Sequence, residues 1–296
     1  MLQKQKKRNF IIVAIIVLFV VILLNVFVNI LIHFNKVKIS YTKIPFIYTK
    51  GVMAIGNPKE YFIMDSGAPY SYFYKNGYKK SFVAVSWVYD VHGKRKIAPF
   101  FFFPQIECYK SQFFLSNLIG EYDVHEASPK NNSFVAGILG MDVIGRANWH
   151  FDLSNCTMES LPLDSVIKIP SDALVWIYSD NRTPEVKLNV CDLKCKALID
   201  FGCNVDLCLD SLQIAKICKQ NKTYSTLIDT TFGLFSWDLT ENYYFDSLKI
   251  GNRYYNDVHI SNHKFRNLIG LRFFRRFDYL FWDSKHKKVY VWNKEK

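Results

Sequence analysis

The chain has 296 residues, of which 50% are hydrophobic and 17% aromatic, and its formal net charge is +12. This composition supplies a core for one large domain or two small lobes, and it excludes an intrinsically disordered chain. Seven cysteines spread over this length exclude a small disulfide-stabilised protein. Only one segment is apolar for long enough to cross a bilayer, which excludes a polytopic membrane protein.

The N-terminal segment 10–34 predicts a transmembrane anchor. Residues Phe10 to Ile32 are apolar apart from two asparagines, and a helix of that length spans a hydrocarbon core of about 30 Å. Basic residues are concentrated in the preceding tail 1–9, so the positive-inside rule predicts a cytoplasmic N-terminus and an exported remainder, periplasmic or extracellular. A cleavable signal peptide is the alternative, but residues 29–34 lack the small residues of a cleavage site.

The two asparagines in this segment, Asn25 and Asn29, lie one helical turn apart. We interpret them as amides that are tolerated near the far leaflet of the membrane. Hydrogen bonding to a partner helix in the membrane is the alternative.

The positive charge does not indicate a nucleic-acid partner. Beyond the N-terminal tail, Lys and Arg are scattered in short groups and form no continuous stripe. The one dense cluster, Arg272-Phe273-Phe274-Arg275-Arg276, contains aromatic residues that are typical of a core. We expect this basic cluster to be a solvated face or a contact with anionic lipid.

After the anchor, the pattern predicts an all-β protein with a few short helices. Short runs alternate apolar and polar residues, and turn residues such as Gly251-Asn252 separate them. A helical pattern is confined to short stretches such as 210–219. The predicted strands are 61–64, 82–89, 97–103, 197–199, 248–250, 279–282 and 289–292.

An internal repeat organises this exported part. An apolar strand followed by Asp-x-Gly and a small residue occurs at Asp65-Ser66-Gly67-Ala68 and again at Asp200-Phe201-Gly202-Cys203. A second apolar segment ends in Gly140 in the first copy and in Gly270 in the second, 75 and 70 residues after the respective aspartates. The residues that follow these glycines also correspond: Arg146 with Arg276, Trp149 with Tyr279, Phe151 with Phe281 and Ser154 with Ser284.

The repeated aspartates predict a site for general acid–base chemistry. A carboxylate at the end of a buried strand, followed by glycine, can be exposed at a cleft where the chain turns sharply. If a pseudo-twofold axis relates the copies, Asp65 and Asp200 come together and share one proton. One carboxyl group then accepts a proton from water while the other donates to a carbonyl oxygen, as hydrolysis of an amide requires.

These residues resemble the aspartic protease superfamily, in the duplicated retroviral-like or pepsin-like form of bacterial membrane-anchored proteins. Asp65-Ser66-Gly67-Ala68 is similar to the catalytic signature of that family. Ile138-Leu139-Gly140 and Leu268-Ile269-Gly270 are similar to its apolar-apolar-Gly segments. The resemblance covers about residues 40–293 and implies a two-lobed all-β fold with pseudo-twofold symmetry and a few short helices.

The resemblance also implies how the site works. Asp65 and Asp200 would hold the lytic water, the catalytic loops would be supported by Ser66, Gly67 and Gly202, and no metal or organic cofactor would be needed. The implied function is that of a membrane-anchored aspartic endopeptidase that hydrolyses peptide bonds in a peptide or protein substrate.

The resemblance further implies a β-hairpin flap that closes over the substrate. The candidate in this chain is the hairpin Val85 to Ala98, which turns at Asp90-Val91-His92-Gly93. From it, Trp87, Tyr89 and Gly93 are the predicted substrate-binding residues. A peptide held between the flap and the floor of the cleft would bind in extended form, mainly through main-chain hydrogen bonds.

The second copy departs from the family pattern, which has Ser or Thr after each catalytic Asp. In the family that hydroxyl group connects the two catalytic loops, which Ser66 can do and Phe201 cannot. One such hydrogen bond contributes about 0.5–1.5 kcal/mol, and we expect a phenyl ring there to dry the site and raise the pKa of the shared proton. A degenerate relative that binds extended peptides or scaffolds a membrane complex is the alternative function, and a purely structural anchored protein is a third.

None of the remaining candidate residues is assigned to a catalytic or metal-binding site. His259 and His263 have the spacing of a metal-binding pair but no third ligand, so no metal site is predicted. Cys203 is interpreted as the small residue after Gly202, equivalent to Ala68. Five aspartates are expected to be turn, cap or surface residues: Asp142, Asp152, Asp206, Asp210 and Asp283.

These interpretations together give the predicted domain organisation. The segments are a cytoplasmic basic tail 1–9, a transmembrane anchor 10–34, an N-terminal lobe 40–165, an inter-lobe linker 166–182 and a C-terminal lobe 183–296.

Overall fold

The computed structural model describes residues 2–34, 38–39, 41, 43–57, 60–74, 81–90, 92–102, 113–114, 118–122, 135–180, 182–232 and 237–294. Over these ranges the chain is mostly β-sheet, with an N-terminal helix and a few short helices, so the prediction at that level is confirmed. The helices are α1 (Leu2–Phe34), α2 (Met141–Ile144), α3 (Ser211–Gln220) and α4 (Leu271–Phe274).

The strands of the first part of the chain are β1 (Lys38–Ile39), β2 (Lys43–Pro45), β3 (Ile47–Thr49), β4 (Val52–Asn57), β5 (Glu60–Met64), β6 (Tyr72–Tyr74), β7 (Ser81–Tyr89), β8 (Arg95–Phe102), β9 (Phe113–Phe114), β10 (Leu118–Tyr122), β11 (Val135–Leu139), β12 (Asn148–Asp152) and β13 (Thr157–Leu161). Those of the second part are β14 (Leu174–Ile177), β15 (Glu185–Val190), β16 (Leu193–Asp200), β17 (Leu207–Leu209), β18 (Tyr224–Phe232), β19 (Trp237–Ile250), β20 (Arg253–Asn262), β21 (Leu268–Gly270), β22 (Tyr279–Asp283) and β23 (Lys288–Trp292).

Helix α1 contains the one segment, among the described residues, that is long and apolar enough to cross a membrane. This segment runs from Arg8 to Phe27, and its side chains are exposed on the protein. The helix begins at Leu2 and therefore includes most of the predicted basic tail as well as the predicted anchor. The orientation of the helix in a membrane stays a prediction.

Two large sheets share one strand order. The first sheet has the order β3-β4-β5-β11-β6-β10-β8-β7, and the second has the order β15-β16-β21-β17-β20-β19-β18. When β3 is set aside and the strands of each sheet are numbered along the chain, both sheets read 1-2-7-3-6-5-4. The parallel pairs also correspond, since β5 and β6 pair in parallel with β11 and β10, and β16 and β17 pair in parallel with β21 and β20.

A third sheet joins the two halves of the chain. Its order is β14-β23-β22-β12-β13-β2, so β12 of the first half and β22 of the second are neighbours at its centre. In this antiparallel pair Trp149 lies opposite Trp282 and Asp152 lies opposite Tyr279. In the repeat, Trp149 corresponds to Tyr279 and Asp152 to Trp282, so exchanging the two copies turns one of these pairs into the other and leaves the register unchanged.

The segment that was predicted to be a linker contributes to this central sheet. Strand β14 lies within 166–182 and pairs antiparallel with β23. Tyr178, which follows β14, is buried and accepts a hydrogen bond from the indole nitrogen of Trp282 at 3.0 Å. The segment is therefore anchored to the second half by a strand and a buried side chain.

One aromatic core lies between the sheets. Its largest fully buried side chains include Trp149, Phe151, Phe201, Phe274 and Trp282, which come from both halves of the chain. Truncation of a buried aromatic side chain to alanine generally costs about 3–5 kcal/mol. The aromatic core therefore fixes the two halves to each other beneath the ends of β5 and β16.

Candidate active site

The two aspartates of the repeat lie at the ends of equivalent strands. Asp65 follows β5 and Asp200 ends β16, and both residues are partly exposed. The amide of Gly67 donates to Asp65 Oδ1 at 2.8 Å, and the amide of Gly202 donates to Asp200 Oδ1 at the same distance. Each Asp-x-Gly turn therefore fixes its own carboxyl group through the backbone.

The structure brings the two carboxyl groups into contact. A Cβ atom on Gly67 would lie 2.6 Å from Asp200 Cγ, and one on Gly202 would lie 2.7 Å from Asp65 Cγ. A hydrogen bond joins the two carboxyl groups. Glycine is required at both positions because any side chain would displace the opposite carboxyl group.

The pair retains a proton because burial disfavours two adjacent charges. Desolvation raises the pKa of Asp65, whereas hydrogen bonds from the Asp200 carboxyl group and from the amides of Gly67 and Ala68 oppose that rise. Desolvation and the charge of Asp65 raise the pKa of Asp200 well above its ordinary value, and Gly202 alone donates a backbone hydrogen bond to it. Burial therefore raises the pKa of both carboxyl groups, and the two titrate as one coupled pair.

Ser66 connects the two Asp-x-Gly turns. Its hydroxyl group donates to the carbonyl oxygen of Ile199 at 2.9 Å and accepts from the amide of Phe201 at 3.0 Å. The side chain is fully buried, so these bonds are sheltered from water. The predicted bridging role of this hydroxyl group agrees with its contacts.

The side chain of Phe201 is directed into the core. Its ring has no exposed area and packs edge-on against Phe151, Phe274 and Trp282, with centroid distances of 5.5–5.9 Å. The expectation that this ring dries the cleft is therefore wrong, because the ring lies beneath the turn among core aromatics. The residue replaces a bridging hydroxyl group with a contribution to packing.

Gly140 and Gly270, here called the distal glycines, allow the chain to pack beneath each Asp-x-Gly turn. A Cβ atom on Gly140 would lie 2.5 Å from the carbonyl oxygen of Tyr70, and one on Gly270 would lie 2.1 Å from that of Val205. The following amides close the contact, since Met141 donates to Ala68 at 2.8 Å and Leu271 donates to Cys203 at 2.7 Å. Both copies therefore use one supporting backbone arrangement.

A hydrogen-bonded pair that the sequence analysis missed supports the first turn. The hydroxyl group of Ser71 donates to Asp142 Oδ1 at 2.7 Å and accepts from the amide of Gly140 at 3.0 Å. Burial raises the pKa of the Asp142 carboxyl group to about 6. Asp142 is therefore part of the support for the site and is more than a surface residue.

The second turn is supported by an ion-pair network at the equivalent positions. Asp206 stands where the first copy has Ser71, and its fully buried carboxylate lies 3.2 Å from Arg272 Nε and 2.8 Å from Arg276 Nη2. The amide of His259 donates to the same carboxylate at 2.9 Å. Burial raises the pKa of Asp206 even though both guanidinium groups favour its charged form.

This network corrects two predictions. Asp206 is a buried ion-pair partner and not a surface residue. The basic cluster is not a simple solvated face, because Arg272 and Arg276 pair with Asp206 and the guanidinium group of Arg275 stacks over the ring of Tyr48 at 4.2 Å. The signal that was available is positional, since Asp206 follows Asp200 by six residues, as Ser71 follows Asp65.

Three further aspartates were predicted to be turn, cap or surface residues. Asp210 caps α3 by accepting from the amide of Gln213 at 2.8 Å, and Asp152 accepts from the amide of Asn155 at 3.0 Å, so both predictions are confirmed. Asp283 is largely buried, and its carboxylate lies 2.8 Å from His286 Nδ1.

The segment that was predicted to be a flap forms a hairpin of β7 and β8. Trp87 lies opposite Ile97 in this hairpin, and both side chains are more than half exposed, as is that of Tyr89. Asp90 shapes the tip, because its carboxylate accepts from the amides of His92 and Lys94. The hairpin is confirmed, and the role of Trp87 and Tyr89 in binding substrate stays a prediction.

The tip of this hairpin contacts the second half of the chain. Gly93 has a φ of +73°, and a Cβ atom there would lie 2.7 Å from the ring of Phe265. His92 Nε2 is 3.2 Å from the carbonyl oxygen of Thr231, which lies on β18. Gly93 is therefore constrained both by its backbone conformation and by close packing.

The two histidines that were considered as a metal-binding pair have other contacts. His259 stacks on Tyr244 with a centroid distance of 4.4 Å, and its Nε2 lies 2.9 Å from Asn242 Oδ1. His263 Nδ1 lies 3.0 Å from the carbonyl oxygen of Arg266. Within the part of the chain that the structure describes, no three His, Cys, Asp or Glu side chains are grouped to hold a metal ion.

Comparison with known proteins gives a distant structural likeness. No protein-family model matches the chain, and no curated protein sequence matches it. A retropepsin-like aspartic protease from Rickettsia conorii is similar in structure, with a TM-score of 0.30 and 14% sequence identity. The similarity covers 40% of this chain and 89% of that protein, and these values are too low to transfer its function.

Proposed function

We propose that this protein is an aspartic endopeptidase in which Asp65 and Asp200 activate a water molecule for attack on a peptide bond. One observation carries the proposal: two carboxyl groups from equivalent turns meet, and burial raises the pKa of both. Helix α1 anchors the enzyme in a membrane, with the basic N-terminus in the cytoplasm and the catalytic part exported. The substrate is a peptide or protein.

The proposed architecture has two lobes, residues 40–165 and 183–296, related by a pseudo-twofold axis. The shared strand order of the two large sheets supports this relation. The self-mapping register of β12 and β22 supports it as well. The symmetry explains why two turns that are distant in sequence present their carboxyl groups to each other.

The chemistry follows from the unequal environments of the two carboxyl groups. Asp65 carries the charge and accepts a proton from the attacking water, whereas Asp200 donates its proton to the carbonyl oxygen of the scissile bond. Water thereby adds to the carbonyl carbon without a covalent enzyme intermediate. Asp65 then gives its proton to the amide nitrogen, and a hydroxyl group of the tetrahedral intermediate returns a proton to Asp200. The C–N bond breaks, the two product chains are released, and the singly protonated pair is restored.

The supporting residues keep this pair in place. Ser66 holds the two turns together, and Gly67 and Gly202 leave space for the opposite carboxyl groups. An extended peptide lies between this floor and the β7–β8 hairpin, where Trp87, Tyr89 and Gly93 are the proposed contacts. Correct placement of groups at this scale matters because small displacements cost large factors in rate.

The pH dependence follows from the shared proton. At low pH Asp65 becomes protonated and can no longer accept a proton from water. At high pH Asp200 loses the proton that it must donate. We therefore expect a bell-shaped profile of kcat/KM, with the alkaline limb displaced upward because the pKa of Asp200 is raised well above its ordinary value.

The experiment uses the full chain in detergent and a broad library of unstructured peptides from acidic to neutral pH. Asp65→Asn and Asp200→Asn should each lower kcat/KM by about 10²- to 10⁴-fold, the usual contribution of general acid–base catalysis. The matched control is Asp246→Asn, which makes the same change at an exposed position on β19. Absence of cleavage at every pH, or full activity in both dyad variants, would contradict the proposal.

A peptide-binding function without catalysis is the second candidate. The observation that favours it is the phenyl ring of Phe201 in the core, which leaves Ser66 as the single bridging hydroxyl group between the turns. In that case library peptides would bind to the full chain without being cleaved, and Asp65→Asn would leave their affinity unchanged.

A further inference from the structure

Two thiol groups lie side by side next to the second catalytic turn. Cys203 directly follows Gly202, and its Sγ atom lies 3.6 Å from Sγ of Cys208 on β17. Cys203 is partly exposed, whereas Cys208 is 4% exposed. Both are free, and with Leu198, Val205 and Leu268 they form a small apolar cluster.

The turn itself does not require these thiols. The equivalent positions in the first copy, three and eight residues after Asp65, hold Ala68 and Phe73. The backbone bond that closes the turn is nearly the same in both copies, 3.3 Å from Ala68 to Asp65 and 3.2 Å from Cys203 to Asp200. The thiol pair is therefore an addition to the second copy.

The environment gives the two thiols different roles. A hydrogen bond with Cys208 lowers the pKa of Cys203 and raises that of Cys208. Cys203 is also the more accessible of the two. A partly exposed thiol with a lowered pKa, 3.6 Å from a second thiol, fits the arrangement in which the first attacks a disulfide and the second resolves the product.

The Cys203 thiol also lies within electrostatic reach of the catalytic pair. Its charge contributes to the raised pKa of Asp200. Because Cys203 is the third residue after Asp200, a change at its sulfur acts on the loop that carries the carboxyl group. Reaction at this thiol is therefore coupled to the proposed active site by distance and by chain connection.

We propose that Cys203 and Cys208 form a modification site for low-molecular-weight disulfides and that the resulting Cys203–Cys208 disulfide lowers the activity of the Asp65–Asp200 pair. The inference about activity rests on the proposed function. The inference about thiol chemistry rests on the geometry of the two sulfur atoms.

The chemistry balances as a two-electron exchange. The Cys203 thiolate attacks one sulfur of the reagent disulfide, forms a mixed disulfide and expels one thiolate. The Cys208 thiol then loses its proton and attacks the Cys203 sulfur, which forms the protein disulfide and releases the second thiol of the reagent. The protein dithiol is oxidised, and the reagent disulfide is reduced to two thiols.

Bond formation moves the catalytic loop. A disulfide bond is about 2.0 Å long, so the two sulfur atoms must approach each other from 3.6 Å. Cys208 is held in the sheet by pairing with Leu268 and Ser261, and Cys203 lies in a turn. The shift therefore falls mainly on the turn that carries Asp200 and Gly202.

The test treats the reduced full chain in detergent with oxidised glutathione and maps the cysteines by mass spectrometry. The expected product is a Cys203–Cys208 linked peptide that has lost two hydrogen atoms and forms before the other described cysteines react. Cys208→Ser should stop at a glutathione adduct on Cys203, and Cys203→Ala should give neither product. Cys218→Ser, which removes a partly buried thiol from α3, is the matched control and should behave as the unchanged chain does.

Peptide cleavage supplies the second readout. Oxidation should lower cleavage by at least about tenfold, because displacement of a catalytic group by about 1 Å costs up to about 10²-fold, and a reducing thiol should restore it. Cys203→Ala, compared with its own untreated sample, should not respond to the reagent. Disulfide formation between other cysteines, no reaction at Cys203, or a Cys203–Cys208 disulfide without loss of cleavage would each overturn the proposal. If the untreated chain cleaves no peptide, the proposed function fails, and the cysteine map still decides whether the modification site exists.

Discussion

The two copies of the repeat share a backbone and differ in the side chains that support it. In each copy an Asp-x-Gly turn binds its own carboxyl group, and a distal glycine packs beneath the turn. Behind the first turn the Ser71 hydroxyl group donates a hydrogen bond to the Asp142 carboxyl group, whereas behind the second lies the ion-pair network of Asp206 with Arg272 and Arg276. The comparison shows that one backbone arrangement places both carboxyl groups, and that different side chains support it in the two halves.

The largest expected effect concerns Phe201, which stands in the second copy where the first copy has Ser66. Phe201→Ser would introduce the hydroxyl group that Ser66 supplies in the first copy. Because the phenyl ring fills the aromatic core, we expect a loss of about 3–5 kcal/mol in the free energy of unfolding and no gain in activity. Chemical denaturation and a cleavage assay check this, with Phe201→Leu as the control that retains most of the volume. A variant that is both stable and more active would show that the ring faces the cleft.

The distal glycines allow a direct comparison of the two copies. Gly270→Ala should cost about 2–3 kcal/mol and Gly140→Ala somewhat less, because the added methyl group meets a backbone oxygen at 2.1 Å in one case and 2.5 Å in the other. Gly251→Ala is the control, since a Cβ atom there has no neighbour within 4 Å although its φ is +61°. Equal, small losses at all three positions in thermal unfolding would contradict the close approach.

In the second half, removal of the carboxylate from the ion-pair network is expected to lower stability. Asp206→Asn leaves two guanidinium groups without their buried carboxylate, which lowers stability. Removal of the buried charge also relieves the desolvation that raises the pKa of Asp206 and so opposes part of this loss. We expect a net decrease of about 2 kcal/mol in the free energy of unfolding. This figure is below the usual value for buried pairs because the Arg272 and Arg276 side chains are 33% and 21% exposed. Denaturation at low and high salt checks it. Asp257→Asn, which alters the exposed carboxylate beside Arg272, is the control and should have a much smaller effect.

In the first half, replacement of the Asp142 carboxyl group is expected to increase stability at neutral pH, the opposite of the effect at Asp206. Burial raises the folded-state pKa of Asp142 from 3.8 to about 6, so its contribution to stability is present below about pH 4 and is lost as the pH rises through 6. Asp142→Asn keeps an acceptor for Ser71 and should raise the free energy of unfolding at pH 7 by about 1–2 kcal/mol, with no gain at pH 4. The difference between variant and unchanged chain, measured across this pH range, isolates Asp142 from the dyad.

A matched variant tests the sign of that argument. Hydrogen bonds from Ser154 and from the amide of Lys294 lower the pKa of Asp278, so its contribution is present at neutral pH and is lost as the pH falls below its ordinary value. Asp278→Asn should therefore destabilise at pH 7 and not at low pH. If both variants change stability in the same direction at pH 7, the environments of these carboxyl groups have been assigned wrongly.

Sequence patterns were sufficient to predict the two Asp-x-Gly turns. They were insufficient to predict the side chains that pack behind these turns. Asp65 and Asp200 could be predicted because the repeat places each before a glycine at the end of an apolar strand. The partners Ser71 and Asp142 are 71 residues apart, and Asp206 and Arg276 are 70 apart, so no local pattern relates them. Which side chains meet behind a turn depends on how β11 and β21 return beneath it, and that becomes known only from the fold.

Two other differences between the sequence predictions and the structure have local causes. The direction of the Phe201 ring was missed because residues within a turn follow no alternating pattern, so the sequence does not show which face the ring occupies. Strand β14 was missed because prolines flank it and the segment resembles a connection, yet its pairing with β23 adds a strand to the central sheet. Hydrophobic periodicity is informative within long strands and much less so within turns and short edge strands.

The pairing of β12 with β22 has a consequence for the distance between the two carboxyl groups. Each aspartate belongs to a different half, so the distance between the two carboxyl groups depends on how β12 and β22 pair. A change that weakened this pairing would alter the distance while leaving each Asp-x-Gly turn intact. The geometry of the two carboxyl groups is therefore determined by the rigidity of the central sheet as well as by the turns themselves.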